Sequence, residues 1–163
     1  MDAANRDRQA MGEPLFREHG RQVAALCWRF SARGPEILLI TSLNSKRWIV
    51  PKGWPEAAFT PAENAAREAF EEAGVTGKVS SEPVGSFHYL KEKKDGSGMP
   101  CQVDVFALEV GRQLEEWPEK GSREIAWLPP EEAALRVSEP GLRQLLKTFR
   151  KRLPQPKARR AAL

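Results

Sequence analysis

The stretch AAREAFEEAGV, residues 65–75, constrains the fold most, because the residues around it carry signals for both ends of a helix. Thr60 can cap the amino end, Pro61 suits the first turn, and Glu63 stands at the reciprocal position of a capping box. Gly74 supplies a stop at the carboxyl end. These signals predict a helix from Thr60 to Ala73.

Three carboxylates of this helix fall on one face. Glu68, Glu71 and Glu72 stand in i, i+3 and i+4 relation, and like charges at that spacing cost a few tenths of a kcal/mol per pair. Arg67 alone does not balance them, whereas Mg²⁺ or Mn²⁺ would, since these cations prefer oxygen ligands. A glutamate-rich face is also typical of a solvated surface helix. The stretch by itself therefore leaves a metal site and a solvated face both open.

The wider spacing favours the metal site. Gly53 lies fourteen residues before Arg67, and the string then runs Arg-Glu-x-x-Glu-Glu-x-Gly. The segment GWPEAAFTPAENAAREAFEEAGV, residues 53–75, resembles the Nudix box, the signature of Nudix hydrolases. The resemblance implies an α/β fold, a Nudix-type α/β/α sandwich with a mixed β-sheet. It also implies an enzyme that cleaves diphosphate linkages with Mg²⁺ or Mn²⁺ as cofactor.

The resemblance also assigns roles to the matching positions. It implies that Glu68, Glu71, Glu72 and Arg67 form the catalytic group, and that Gly53 and the three glutamates form the metal site. Glu71 and Glu72 are then metal ligands, and Glu68 is a ligand or a base that orients water. Arg67 would hold a glutamate in position by a charge-assisted hydrogen bond.

One position departs from the box. The pattern expects a glutamate six residues after its first glycine, and this chain has Phe59 there. Glu56 and Glu63 are nearby carboxylates without the matching spacing. The departure bears on how many metal ions bind and how tightly. It also motivates an alternative in which the chain binds a ligand without cleaving it.

The segment SLNSKRWIVPKGW, residues 42–54, points to a substrate class. It is similar to the approach to the box in diphosphoinositol polyphosphate phosphohydrolases and diadenosine polyphosphate hydrolases. The likeness implies an anionic small-molecule substrate with a phosphate chain, with diadenosine polyphosphates or related nucleotides favoured and diphosphoinositol polyphosphates next. Nucleotide sugars, ADP-ribose and RNA 5′ ends are alternatives. The residues predicted to bind substrate are Arg47, Lys52, Arg21, Arg123 and Ser42.

Other polar and aromatic residues carry weaker expectations. The loop with Lys91, Lys93 and Lys94 could reach the distal end of a substrate. Trp48 is predicted to belong to the core, although both it and Trp54 could stack on a base. The remaining two expectations concern His88, interpreted as a strand residue rather than a catalytic base, and Cys27 and Cys101, interpreted as buried free thiols.

The rest of the chain predicts strands, then helices. The predicted strands cover residues 21–30, 36–42, 47–50, 77–90, 101–110 and 123–128, and the predicted helices cover residues 130–136 and 140–153. A polar loop is predicted over residues 91–100. Because strands dominate the first two thirds and helix closes the chain, this order suits a mixed sheet flanked by helices.

Length and charge complete the expectations. The 163 residues suit one domain over residues 15–153, with flexible ends at residues 1–14 and 154–163. Eight of the 26 basic residues and no acidic residue lie from position 140 onward, so the net charge of +4 belongs to the carboxyl end. A solvated basic tail is favoured over a nucleic-acid-binding one. The amino end resembles no signal peptide and no apolar run suggests a membrane span, so a cytoplasmic location is expected.

Overall fold

The computed structural model describes residues 20–153. The predicted flexible ends therefore lie outside the described residues. Eleven helices and strands follow one another within the described range. The strands are β1 (Gly20–Ser31), β2 (Gly34–Thr41), β3 (Trp48–Ile49), β4 (Lys52–Gly53), β5 (Val75–Val79), β6 (Gly85–Glu92), β7 (Gly98–Gln113) and β8 (Ile125–Leu128). The helices are α1 (Pro61–Ala73), α2 (Pro130–Arg136) and α3 (Pro140–Arg150).

The sheet is mixed, as predicted. Its main path runs β3-β2-β1-β7-β5, with β4 beside β1, β6 beside β7 and β8 beside β2. The two long strands β1 and β7 run parallel, from Gly20 opposite Cys101 to Trp28 opposite Glu109, and the other pairs are antiparallel. Strand β1 therefore crosses the centre of the molecule.

Both faces of the central strands are covered. Residues 24–27 of β1 and 37–40 of β2 are completely buried at consecutive positions, so side chains pointing to either face meet protein. Helix α1 packs on β1 and β5, while α2 packs on β2 and α3 on β6. This layering confirms the predicted α/β/α sandwich.

Helix α1 has the ends that the sequence predicts. The Thr60 side chain accepts a hydrogen bond from the Glu63 N–H, and the Glu63 side chain accepts one from the Thr60 N–H. Gly74 ends the helix in the left-handed conformation, with φ of 68°. A Cβ atom there would lie 2.3 Å from the Trp117 ring, so glycine suits the turn both sterically and conformationally.

The structure corrects some predicted boundaries. The strand predicted over residues 77–90 is two strands, β5 and β6, because a turn at residues 80–84 moves the chain to another part of β7. The predicted loop at 91–100 is mostly hairpin, since Lys91 pairs with Met99 and Glu92 with Gly98. Helix α3 ends at Arg150 rather than at residue 153, and β8 is shorter than predicted.

Cys27 and Cys101 are buried free thiols, as predicted. None of the helices within residues 20–153 is long and apolar enough to cross a bilayer.

Candidate functional site

Strand β4 lies directly against the glutamate face of α1. A Cβ atom on Gly53 would be 2.3 Å from Oε1 of Glu68, so a side chain at position 53 would displace that carboxylate. One residue earlier, the Lys52 N–H donates a hydrogen bond of 3.3 Å to Oε1 of Glu72. The opening residues of the box and the glutamates of its helix therefore contact each other.

Glu68 and Glu72 form a coupled pair of carboxyl groups. Glu72 is only 5% exposed, whereas Glu68 is half-buried. Burial raises the pKa of Glu72 to about 8, against the lowering effect of Arg123, and the neighbouring Glu68 carboxyl group raises it further. Burial also raises the pKa of Glu68.

Arg123 holds the buried side of this pair. Its Nη2 lies 3.4 Å from Oε2 of Glu72 and 3.2 Å from Oε1 of Glu119, and its Nη1 donates to the Thr41 carbonyl at 3.0 Å. The Arg123 side chain is only 12% exposed. This arginine, predicted to bind substrate, therefore also binds two carboxylates of the site.

Glu119 is a site residue that the sequence did not single out. It lies beside the box glutamates closely enough to raise the pKa values of Glu68 and Glu72. Its only sequence signal is its place four residues before Arg123 in an acidic segment. The contact depends on the segment before β8 folding back onto α1, where the Glu119 N–H donates to the Glu71 carbonyl.

Glu71 lies near Glu68, whose pKa its charge raises, and also near Arg67. Its Oε1 lies 4.0 Å from Nη2 of Arg67, and Nη1 of Arg67 donates to Glu56 at 3.0 Å. The Arg67 guanidinium also stacks over Phe59, 4.1 Å from the ring centroid. Phe59, which replaces the expected glutamate, thus packs against the arginine of the box, while Glu56 provides that arginine with its charged partner.

The carboxylates fit a divalent cation chemically, but they are not gathered as a finished ligand set. Within residues 20–153, no three His, Cys, Asp or Glu side chains lie close enough together to hold one ion. Glu68 and Glu72 provide oxygen ligands of the kind that Mg²⁺ and Mn²⁺ prefer. Binding of a cation would displace protons from these carboxyl groups.

A cavity of about 470 Å³ opens over Glu68 and Glu72 and brings together four cationic side chains. Lys52 is partly buried, with its Nζ 4.6 Å from the centre of the Tyr89 ring. Burial lowers the pKa of Lys52 to about 8, with the Lys91 ammonium as the second cause. The cationic residues lining the cavity are Arg47, Lys52, Lys91 and Arg123.

The turn between β2 and β3 positions Arg47 at this cavity. Ser42 contacts Ser45 through its hydroxyl at 2.6 Å and accepts a hydrogen bond from the Arg47 N–H at 3.0 Å. The Arg47 guanidinium lies 3.7 Å from Oε1 of Glu139, a buried residue just before α3. Oε2 of Glu139 is buried and has no hydrogen-bond partner within residues 20–153. Ser42 therefore shapes the turn, and Glu139 provides Arg47 with a countercharge.

Several predicted residues lie elsewhere. Arg21 is exposed and pairs with Asp104 at 3.1 Å, outside the cavity lining. His88 is an exposed residue of β6, as predicted. Lys93 and Lys94 lie in the turn between β6 and β7, so only Lys91 of the three lysines reaches the cavity.

The two tryptophans near the box differ in environment. Trp48 is partly buried and packs against the core, as predicted. Trp54 is 44% exposed and lines the cavity.

Comparison with known proteins places the chain in a family. The family model described as NUDIX domain matches residues 20–149. Nudix hydrolase 12, mitochondrial, of Arabidopsis thaliana is 39% identical over 101 residues, which cover 60% of this chain and 50% of that protein. Diphosphoinositol polyphosphate phosphohydrolase 3-beta of Bos taurus is 37% identical over 116 residues, covering 69% and 66%. The chain thus spans about half the length of the Arabidopsis relative and just under two thirds of the bovine one.

Solved structures share the fold at low identity. An Ap4A hydrolase of C. elegans is 20% identical with a TM-score of 0.60, covering 83% of this chain and 98% of that one. The NUDIX domain of Shewanella oneidensis NrtR, complexed with ADP ribose, is 16% identical with a TM-score of 0.64, covering 94% and 100%. The long match to the family model and the sandwich architecture agree. The chain belongs to the NUDIX domain family.

Proposed function

We propose that this protein is a hydrolase that uses Mg²⁺ or Mn²⁺ to cleave diphosphate linkages in small molecules with a phosphate chain. The observation that carries the proposal is that the coupled carboxyl pair of Glu68 and Glu72 and four cationic side chains line one cavity. Carboxylates alone would repel a polyphosphate, and cations alone would bind it without activating water. Their combination suits hydrolysis of an anionic substrate.

Each side chain has a role in this proposal. Glu68 and Glu72 would hold the cation, which neutralises phosphate charge and lowers the pKa of bound water. Glu68, the more exposed of the two, would hold the cation or act as the base that orients the attacking water. Glu71 would complete the ligand set, and Arg67 would hold Glu71 until then. Arg123 fixes the Glu72 carboxylate from its buried side.

The cationic side chains of the cavity would bind the phosphate groups of the substrate. Lys52 and Arg47 would bind phosphate oxygens next to the carboxylates, and Lys91 would bind phosphates farther along the chain. Ammonium and guanidinium groups form strong charge-assisted hydrogen bonds with phosphate. Arg21 is excluded from this set by its place outside the cavity lining.

Diadenosine polyphosphates or related nucleotides are the favoured substrates, and diphosphoinositol polyphosphates come next. The solved neighbour named as an Ap4A hydrolase and the relative named as a diphosphoinositol polyphosphate phosphohydrolase support these two classes. The neighbour complexed with ADP ribose supports a nucleoside diphosphate compound as a further candidate.

A substrate panel tests the proposal. The wild-type protein is incubated with dinucleoside polyphosphates, ADP-ribose, nucleotide sugars, inositol pyrophosphates and triphosphorylated RNA, with Mg²⁺, Mn²⁺ or EDTA. Products are identified by mass. We expect cleavage of a diphosphate bond in at least one small molecule, abolished by EDTA. Cleavage of none of them, or equal cleavage in EDTA, would contradict the proposal.

One observation favours a second function. Because Phe59 replaces the expected glutamate and stacks under Arg67, the box could serve a binding module that does not cleave its ligand. Metal-dependent turnover of any diphosphate in the panel would remove this candidate. Ligand binding by calorimetry without any turnover would establish it.

A further inference from the structure

Trp54 presents an aromatic surface to the polar cavity. Its side chain is 44% exposed although tryptophan is usually well buried, and it lines the same cavity as Lys52 and Glu68. An exposed indole beside phosphate-binding cations is costly to leave in water and has no role in holding a metal or a phosphate. Its position therefore calls for a ligand group of another chemistry.

One side of the Trp54 ring packs against the start of β1. A Cβ atom on Gly20 would lie 2.6 Å from Cη2 and 2.9 Å from Cζ3 of Trp54, so the six-membered ring packs closely on the start of β1. Cys101, opposite Gly20 in the parallel pair, lies at the same place, with Sγ 2.7 Å from that Cβ position. The strands thus support one side of the indole, while much of the ring stays accessible.

Trp54 follows directly after two residues of the proposed site. Lys52, Gly53 and Trp54 are consecutive, Gly53 contacts Glu68, and neighbouring Cα atoms are about 3.8 Å apart. A flat group on the indole would share one cavity with Glu68 and Glu72. In a nucleotide, a ribose joins the base to the first phosphate.

We propose that Trp54 is the stacking platform for the base of a nucleotide substrate, with the attached phosphates directed over Lys52 towards Glu68 and Glu72. This inference rests on the proposed function and narrows it to substrates with a nucleoside at one end. Bases gain from stacking on an aromatic ring, whereas the saturated, highly phosphorylated inositol ring has no flat face to stack. Leu43, 54% exposed and also in the cavity lining, extends the apolar surface.

The test compares two inert ligands that differ by the nucleoside. Binding of α,β-methylene-ADP and of methylenediphosphonate is measured by calorimetry in Mg²⁺ with wild type, Trp54→Leu and Trp54→Phe. We expect Trp54→Leu to weaken binding of the nucleotide about tenfold and leave methylenediphosphonate binding unchanged. Trp54→Phe should keep most of the affinity, because it retains a ring. Leu135→Ala, which removes a 75% exposed apolar side chain on α2 outside the cavity, is the control.

Three results would overturn the inference. The first is an equal loss of affinity for both ligands in Trp54→Leu, which would show a purely structural role. The second is no loss of affinity for either ligand, and the third is no nucleotide binding by the wild type. A loss of inositol hexakisphosphate affinity in Trp54→Leu would likewise oppose the nucleoside assignment. Because the ligands are not cleaved, these results are independent of hydrolysis, and the substrate panel decides the proposed function separately.

Discussion

The Glu68 carboxylate occupies the space that a side chain at Gly53 would need, with Oε1 2.3 Å from the position of a Cβ atom. The glycine that opens the box therefore leaves space for the carboxylate of a glutamate fifteen residues later. It lets β4 approach α1 closely enough for the Lys52 N–H to reach Glu72. Spacing in the sequence thus reflects a contact in the fold.

We expect Gly53→Ala to lower turnover about 100-fold, because the added methyl group would displace the Glu68 carboxylate, which we propose holds the cation, by about an ångström. The measurement is kcat with the best substrate of the panel, together with a thermal melt. Gly111→Ala is the matched control, since a Cβ atom there would meet its nearest neighbour at 3.8 Å, an ordinary contact. Equal activity of the two variants would contradict the steric interpretation.

The metal-free protein should lose stability as pH rises. The pKa of Glu72 is raised from its ordinary value of 4.5 to about 8, so the unfolded chain releases this proton first. The native state then binds more protons than the unfolded state, and the free energy of unfolding falls through this window. Urea unfolding in EDTA at pH values between about 5 and 7 measures the slope.

Two comparisons isolate the contribution of Glu72 to this slope. Glu72→Gln cannot titrate at this position, so its slope should be smaller than that of the wild type. Saturating Mn²⁺ should reduce the loss of unfolding free energy that the wild type shows as pH rises, because a cation binds the deprotonated carboxylates. A slope that neither change affects would show that the pKa of Glu72 is not raised in the native state.

Arg123 should contribute more to stability than an exposed arginine. Arg123→Met removes the cation that pairs with Glu72 and Glu119, and breaking a buried ion pair costs about 3 kcal/mol. Arg21→Met breaks the exposed pair with Asp104 and should cost less than about 1 kcal/mol. Denaturant unfolding of both variants checks the difference, and similar costs would contradict the positioning role of Arg123.

Lys52 should act on substrate binding. Lys52→Met keeps an apolar side chain beside Tyr89 but removes the charge. We expect KM to rise about 10- to 100-fold, because that is the change in affinity expected from losing one charged hydrogen bond. Lys78→Met, on the exposed face of β5, should leave KM unchanged. Steady-state kinetics at constant ionic strength separate the two. An unchanged KM in Lys52→Met would remove Lys52 from the phosphate site.

Local signals made the helix and its glutamates predictable. Thr60, Glu63 and Gly74 act within a few residues of their partners, and α1 begins and ends where they indicate. The core strands were also predictable from their apolar runs. The hairpin at the end of β6 and the start of β7 was not predictable. Its strands pair through backbone hydrogen bonds, and its polar side chains are typical of a loop.

The partners of the site residues depend on contacts that are distant in sequence. Glu72 and Arg123 meet only because the segment before β8 folds back onto α1, and Arg47 meets Glu139 only because α3 packs beside the sheet. No short pattern reports such contacts. Sequence spacing placed Glu71 on the face of Glu68, and its charge does act on Glu68. The hydrogen bond of Arg67, however, goes to Glu56, eleven residues earlier in the chain.

Turnover of a diphosphate substrate by Glu72→Gln in saturating Mg²⁺ tests the central claim most directly. The change keeps the shape of the side chain and removes a charged metal ligand. Glu132→Gln, an exposed carboxylate on α2, is the matched control and should behave as wild type. We expect kcat of Glu72→Gln to fall at least about 1,000-fold. Wild-type turnover in Glu72→Gln would contradict the assignment of this carboxylate pair as the metal site.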